Sequence, residues 1–166
     1  VLAATFGVKV ASGARATASH ALAEHTADHI LDGDKLTYWS TGDWQETASV
    51  EVHLPNSQTF NVVELQEQIR VGQRIERFAV DAMVNGAWQE IGKATTVGYK
   101  KYLRIPDTTT DKLRIRILAS RVCPTLSNLG LYYQPRMLNA PAIAQDRDGN
   151  VVISSDPAAT IRYTLD

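Results

Sequence analysis

Two carboxylates, Asp32 and Asp34, flank Gly33 in the run from Ile30 to Trp39, and the Thr37 hydroxyl, Tyr38 and Trp39 follow. Gly33 can take positive φ without steric cost, so an Asp-Gly-Asp run turns tightly and converges its oxygens. Converging carboxylate, carbonyl and hydroxyl oxygens are what a hard cation such as Ca²⁺ requires. From the run alone, a plain Asx-type turn without metal is the simpler reading. The apolar flanks, Ile30 and Leu31 on one side and Trp39 on the other, would hold the turn against a core.

Other reactive residues form weaker patterns. His20, His25 and His29 are spaced by five and four. Only the last two can share a helix face, and no third protein ligand is evident for zinc. Cys123 precedes Pro124 with no base placed beside it by sequence, so it reads as a buried or half-buried loop thiol. Glu64, Glu67 and Glu90 raise the question of a glycosidase carboxylate pair.

The elements that must position these groups are strands. Phe6, Val8 and Val10 alternate in a first strand, and residues 20–31 read as a loop with a short helical turn. Val50, Val52 and Leu54 alternate with polar residues up to a turn at Pro55-Asn56-Ser57, and Phe60, Val62 and Leu65 follow. Phe78, Val80, Ala82 and Val84 lead into Asn85-Gly86, a strong hairpin signal, with Trp88 and Ile91 on the return strand. Tyr102, Leu103 and Ile105 end a strand at Pro106. Leu113, Ile115 and Ile117 form another, and Leu129, Leu131 and Tyr133 a last one. About eight short strands with little helix predict an all-β, antiparallel sandwich or jelly roll over residues 1–133. Residues 134–141, bracketed by Pro135 and Pro141, read as a linker. Residues 142–166 read as the truncated start of a second β unit, since so short a piece cannot bury its own core.

Composition narrows the function. The chain has 166 residues, 44% of them hydrophobic, 21% charged, and a net charge of −1. That is enough apolar matter for a core, without the basic stripe of a nucleic-acid binder. No apolar run approaches the ~20 residues of a membrane span, so no membrane insertion is expected. No signal peptide is visible and the first residue is Val1 rather than Met, which reads as a processed chain or an excised piece. The single cysteine excludes an internal disulfide and leaves the compartment open.

Asp32-Gly33-Asp34 with Thr37 and Trp39, a β-rich body, and Ser127-Asn128-Leu129-Gly130-Leu131-Tyr132 at its end resemble the discoidin or coagulation-factor 5/8 type C family. This family includes the galactose-binding-like carbohydrate-binding modules, and the resemblance covers roughly residues 5–133. Leu65 to Arg74, Trp88 to Gly92 and Thr95 to Lys100 are similar to the module that follows the catalytic barrel in bacterial family 29 α-L-fucosidases. The tail from Ala158 to Asp166 is similar to the start of a chitobiase-type β-sandwich.

The resemblance implies a jelly roll with a structural Ca²⁺. Its ligands would be the His29 carbonyl, the Asp32 carboxylate, the Asp34 carbonyl, the Thr37 hydroxyl and carbonyl, the Ser127 carbonyl and the Asn128 side chain. Many relatives carry Glu where this chain has Asn128, and a neutral amide is the weaker ligand. It also implies sugar binding by loops at one end of the sandwich. Trp44 would stack on the sugar, and His20, Glu67, Arg70 and Arg74 would bond its hydroxyls. Glu67 stands where many sugar-binding relatives carry arginine. Trp39 and Trp88 read as core, and Tyr99 and Lys100 as a packed corner. Arg70, Gln73 and Arg74 serve equally as a surface for docking the parent's catalytic domain.

The chain is therefore expected to be a non-catalytic carbohydrate-binding module of a periplasmic or extracellular bacterial α-L-fucosidase. Its partners would be a glycan and the parent's catalytic domain. A fucosidase barrel of about 250 residues does not fit in this chain. The alternative is an accessory domain that braces the barrel and binds no sugar. An adhesion module of the discoidin type would need hydrophobic spikes at its loop tips, where the sequence offers only Trp44 between Asp43 and Gln45.

Overall fold

The computed structural model describes residues 13–135, 140–157, 160–162 and 164. The strand expected at Phe6, Val8 and Val10 lies outside them, as do residues 136–139 of the expected linker. By its internal contacts the chain divides into two units, residues 1–134 and 135–166.

In the first unit two long strands form the frame. Strand β3 (Ala48–Gln66) pairs antiparallel with β6 (Lys101–Ser120) along its length. The first half of β3 also pairs with β1 (Arg15–Ala18) and the second half with β8 (Asn128–Tyr132). The second half of β6 pairs with β4 (Ile75–Val84), and β4 in turn pairs with β5 (Ala87–Thr95). The short strands β2 (Trp39–Ser40) and β7 (Thr125–Leu126) pair with each other.

Nineteen residues of straight strand would span roughly 60 Å. The radius of gyration expected for about 120 residues is roughly 14 Å, so the ribbon must bend. It bends at two bulges. Leu54–Ser57 lie opposite Asp111 alone, and Asn61 lies opposite Ile105–Asp107. Val50 and Val52 from one half of β3 and Phe60, Val63 and Leu65 from the other thereby enter one core, with Trp39, Phe78, Ile115 and Leu131. The result is the expected jelly-roll β-sandwich.

These bulges correct two sequence-based expectations. Pro55-Asn56-Ser57 was expected to be a turn and Pro106 a strand end, yet both lie inside continuous strands. A proline gives no N–H to a ladder and is tolerated in a strand at a bulge, where the ladder is already broken. The Asn85-Gly86 hairpin is present as expected, with φ of 52° and 79° at its two central residues.

Trp39 is fully buried and its Nε1 donates to the His20 carbonyl at 2.9 Å. Trp88 is not core. It is half-buried on the outer face of the hairpin, with the Arg114 guanidinium 4.5 Å from its ring centre. Beside it the buried Asp81 accepts bonds of 2.7–2.9 Å from Arg114 and Arg116. Burial alone would raise the Asp81 pKa, but the two guanidiniums outweigh it and hold the carboxyl below its ordinary value.

The second unit contains an antiparallel hairpin of β9 (Ala142–Gln145) and β10 (Val151–Ser154). Asp146 caps its turn by accepting from the backbone N–H groups of Asp148 and Asn150 at 2.9 and 2.8 Å. The alternation expected at Ile161, Tyr163 and Leu165 falls partly outside the described residues. No helix among them is long and apolar enough to cross a membrane.

Candidate functional site

The loop between β2 and β3 carries the most exposed large hydrophobic side chain among the described residues. Trp44 is 95% exposed and its backbone stands at φ 68°. Left-handed backbone costs a non-glycine residue roughly 1–2 kcal/mol. The loop's own bonds hold it there: Thr41 Oγ1 donates to the Gln45 carbonyl at 2.8 Å, and the Gln45 N–H reaches the Gly42 carbonyl at 3.3 Å. The indole borders a cleft of about 130 Å³ with Asp43, Glu46, Arg121, Val122 and Cys123. An exposed ring beside two carboxylates and a guanidinium combines a stacking face with hydrogen-bonding groups. Sequence reasoning discounted exposed spikes at the loop tips, and Trp44 is one. It also passed over Glu46, and it missed Arg121 because only the fold brings residue 121 beside residue 44.

The other expected sugar contacts are not part of this cleft. His20 is exposed, with Nδ1 3.1 Å from Ser19 Oγ, and borders a separate open groove with Gln45. Glu67 is 2% exposed, and its carboxylate accepts from the backbone N–H groups of Arg74 (2.7 Å), Ile75 (2.9 Å) and Gly98 (2.6 Å). In this structure the Glu67 carboxylate, expected to bond sugar hydroxyls, is instead spent on bracing two loops. Arg74 is likewise occupied: its guanidinium donates to the Val71 carbonyl and to the carbonyl and sulfur of Cys123. It stands behind the Trp44 cleft, tying down a residue that lines it. Arg70 is exposed on a 3₁₀ turn at Ile69–Val71.

The Asp32 turn closes on itself. Asp32 Oδ1 accepts from the Asp34 N–H at 2.8 Å and Oδ2 from the Thr37 hydroxyl at 2.7 Å. Thr37 Oγ1 also lies 3.1 Å from the Asp34 carbonyl oxygen. His29 sits on the preceding 3₁₀ turn (Ala27–Ile30), and its Nδ1, like that of His25, is 3.2 Å from the Tyr38 carbonyl. The Thr37 hydroxyl is therefore within about 3 Å of two other oxygens expected around a cation, one of Asp32 and one of Asp34. Asp32 is the only one of the expected ligands that offers a carboxylate, so the donor set fits a weak hard-cation site and no tighter one. Across the gap, Asn128 Nδ2 donates to Glu64 Oε1 at 2.9 Å. Among the described residues, no three His, Cys, Asp or Glu side chains are grouped to hold a metal.

Asp34, Ser127 and Asn128 share a second cleft, of about 290 Å³, with Glu64 at its base. Glu64 Oε1 accepts from Gln66 Nε2 (2.5 Å) and Asn128, with Lys100 Nζ at 3.4 Å, and Oε2 accepts from the Tyr132 hydroxyl at 3.2 Å. Burial would raise the Glu64 pKa, but the bonds from Gln66, Lys100 and Tyr102 outweigh it and hold it below its ordinary value. Tyr132 is pushed up to about 12 by burial and by the neighbouring Glu64 charge. Gly130 makes this possible: a Cβ there would meet the Tyr132 ring at 2.6 Å. The signal in the sequence was the alternation Val63-Glu64-Leu65-Gln66, which puts both polar residues on the outer sheet face.

An antiparallel jelly-roll β-sandwich of this kind is the fold of the galactose-binding-like modules. Over residues 15–127 the sequence matches the F5/8 type C domain family, and the chain belongs to it. It is similar to alpha-L-fucosidase 1 of Arabidopsis thaliana, 32% identical over 107 residues that cover 63% of this chain and 21% of the plant protein. A family 29 fucosidase of Ruminococcus gnavus, solved in complex with fucose, aligns at a TM-score of 0.72 and 26% identity. That alignment covers 81% of this chain and 28% of the other. The family 32 carbohydrate-binding module of Clostridium perfringens NanJ, solved in complex with galactose, aligns at a TM-score of 0.67 and 16% identity. It covers 78% of this chain and 98% of that module, a likeness of fold alone. The chain spans about a fifth of the length of the curated relatives it matches.

Proposed function

We propose that this chain is a non-catalytic carbohydrate-binding module of a fucosidase-like glycoside hydrolase, holding its parent near fucose- or galactose-containing glycans. Trp44 carries the reading. A ring that is 95% exposed on left-handed backbone is unfavourable twice over, and a sugar's C–H face is a partner that offsets both. Arg121, Asp43 and Glu46 stand ready for hydroxyls at the ring's edge. The likeness to plant and bacterial fucosidases supports the parent's class, with a periplasmic or extracellular setting and a bacterial source the finer reading. In the same reading Ca²⁺ seats on Asp32, Thr37 and the carbonyl of Asp34, with those of His29 and Ser127 and the Asn128 amide, and fastens the turn without taking part in sugar chemistry. Calorimetric titration with L-fucose and D-galactose tests the proposal: saturable binding is expected, and none at tens of millimolar refutes it.

A second reading, a domain that braces the parent's catalytic barrel, is favoured by one observation. Ile69, Val71 and Tyr99 expose apolar surface near Arg70 and are 42%, 38% and 63% accessible. Bracing alone predicts no sugar binding and a drop in the parent's stability when these residues are made polar.

A further inference from the structure

We propose that the Glu64 cleft is a second saccharide subsite, taking a single uncharged sugar residue on the outer sheet face, apart from the Trp44 platform. It rests on the reading of the chain as a sugar binder, but uses none of the Trp44 loop's residues.

The cleft is built by strand register. Tyr102, Glu64 and Gly130 are direct cross-strand partners on β6, β3 and β8. The next position along pairs Gln66 with Asn128. Period-two alternation points all of these away from the core, while Val63, Leu65, Leu129 and Leu131 point into it. Gly130 has no side chain, which leaves room for the Tyr132 ring in the middle of this face. Tyr132 folds over its backbone to form one wall, and the loop at Gly33–Lys35 forms another.

The chemistry of the lining selects the ligand. Among the lining side chains Asp34 and Glu64 balance Lys35 and Lys100, so they add no net charge of their own and suit a neutral guest. Glu64 is spent on its own network and sets the geometry rather than binding. That network positions the groups facing outward: the Lys100 ammonium, 35% exposed, and the Tyr102 ring, 44% exposed, lying 5.6 Å apart. Lys35, exposed on the rim, adds donors, and the Asp34 carboxylate adds an acceptor. Alternating donors and acceptors beside an aromatic ring match a pyranose, which presents hydroxyls at its edge and C–H groups on its face. A volume of about 290 Å³ lies at the lower end for small-molecule pockets, enough for one residue and not for a chain buried end to end.

The test is a titration of the ¹⁵N-labelled protein with L-fucose and with D-galactose, for the wild type, Trp44→Ala, Lys100→Met and Tyr102→Ala. The proposal expects Trp44→Ala to retain one saturable site that shifts amides 100–102 and 128–132. It expects Lys100→Met and Tyr102→Ala each to weaken that site at least tenfold while the Trp44 indole still responds. Thermal melts of each variant separate lost binding from lost folding. If the wild type binds and Trp44→Ala binds nothing, the cleft is refuted and the Trp44 reading stands. If Trp44→Ala binds as the wild type does and only the Lys100 and Tyr102 variants fail, the cleft stands and the platform reading falls.

Discussion

Glu67→Gln separates a brace from a sugar contact. The carboxylate is buried and takes three backbone donors, two on Oε1 and one on Oε2. Glutamine is nearly isosteric and keeps one acceptor oxygen. Facing Arg74 and Ile75 with that oxygen leaves its amide NH₂ against the Gly98 N–H, a donor against a donor. One charge-assisted bond is lost and a buried donor is left unsatisfied, a cost of about 1.5–3 kcal/mol. For a domain of this size that lowers Tm by roughly 5–12 °C. Differential scanning calorimetry measures the shift, and isothermal titration with fucose or galactose measures affinity on the same sample. The brace predicts a lower Tm with sugar affinity held within about twofold. An unchanged Tm with a tenfold loss of affinity would refute it and return Glu67 to the sugar-contacting set.

Three other perturbations follow from the same geometry. Gly130→Ala puts a methyl into the Tyr132 ring, and overpacking of this kind costs about 1–3 kcal/mol; urea denaturation should show the loss, and a neutral result would mean the ring moves freely. Glu64 and Asp81 have folded pKa values below their unfolded ones, so their stabilising effect is present above about pH 4.5 and is lost as pH falls through the folded values. Tyr132 is raised to about 12, so its effect is present below pH 10 and is lost as pH rises toward 12. Melts across pH should give a plateau between these limits, and a maximum at pH 3 would contradict the assignment. If the Asp32 turn binds Ca²⁺ in the roughly millimolar range of weak extracellular sites, 10 mM Ca²⁺ adds about 1.4 kcal/mol of stability. Asp32→Asn should abolish that gain, and no difference between Ca²⁺ and chelator in the wild type would remove the metal from the account.

The fold was largely legible because strand alternation is local. Val50-Val52-Leu54 and Leu113-Ile115-Ile117 declare their buried faces without reference to anything distant, and Asn85-Gly86 declares its turn. Pro55 and Pro106 misled because proline ends a flat strand but also marks the bulge at which a long one bends, and only the partner strand distinguishes the two. Trp88 misled because alternation gives a face and not which face is covered; Arg114 covers it from β6, across the intervening β4. The Asp32 turn was visible as a motif, since Asp32, Asp34 and Thr37 lie within six residues. The Trp44 cleft was half visible: the indole could be named, but Arg121 reaches it only through the pairing of β2 with β7 and the loop before β7. The Glu64 trough was visible only as the alternation Val63-Glu64-Leu65-Gln66, because Glu64 and Tyr132 lie on different strands, Lys100 lies on the loop before β6, and Gly130, which makes room for Tyr132, acts by what it lacks.

The most direct test of the account is the Trp44 indole resonance followed through a fucose or galactose titration, with Trp39 and Trp88 as internal references. The account predicts a saturable shift at Trp44, none at the buried Trp39, and at least a tenfold weaker affinity for this site in Trp44→Ala with Tm unchanged. A folded protein whose Trp44 signal stays fixed to tens of millimolar sugar would contradict it.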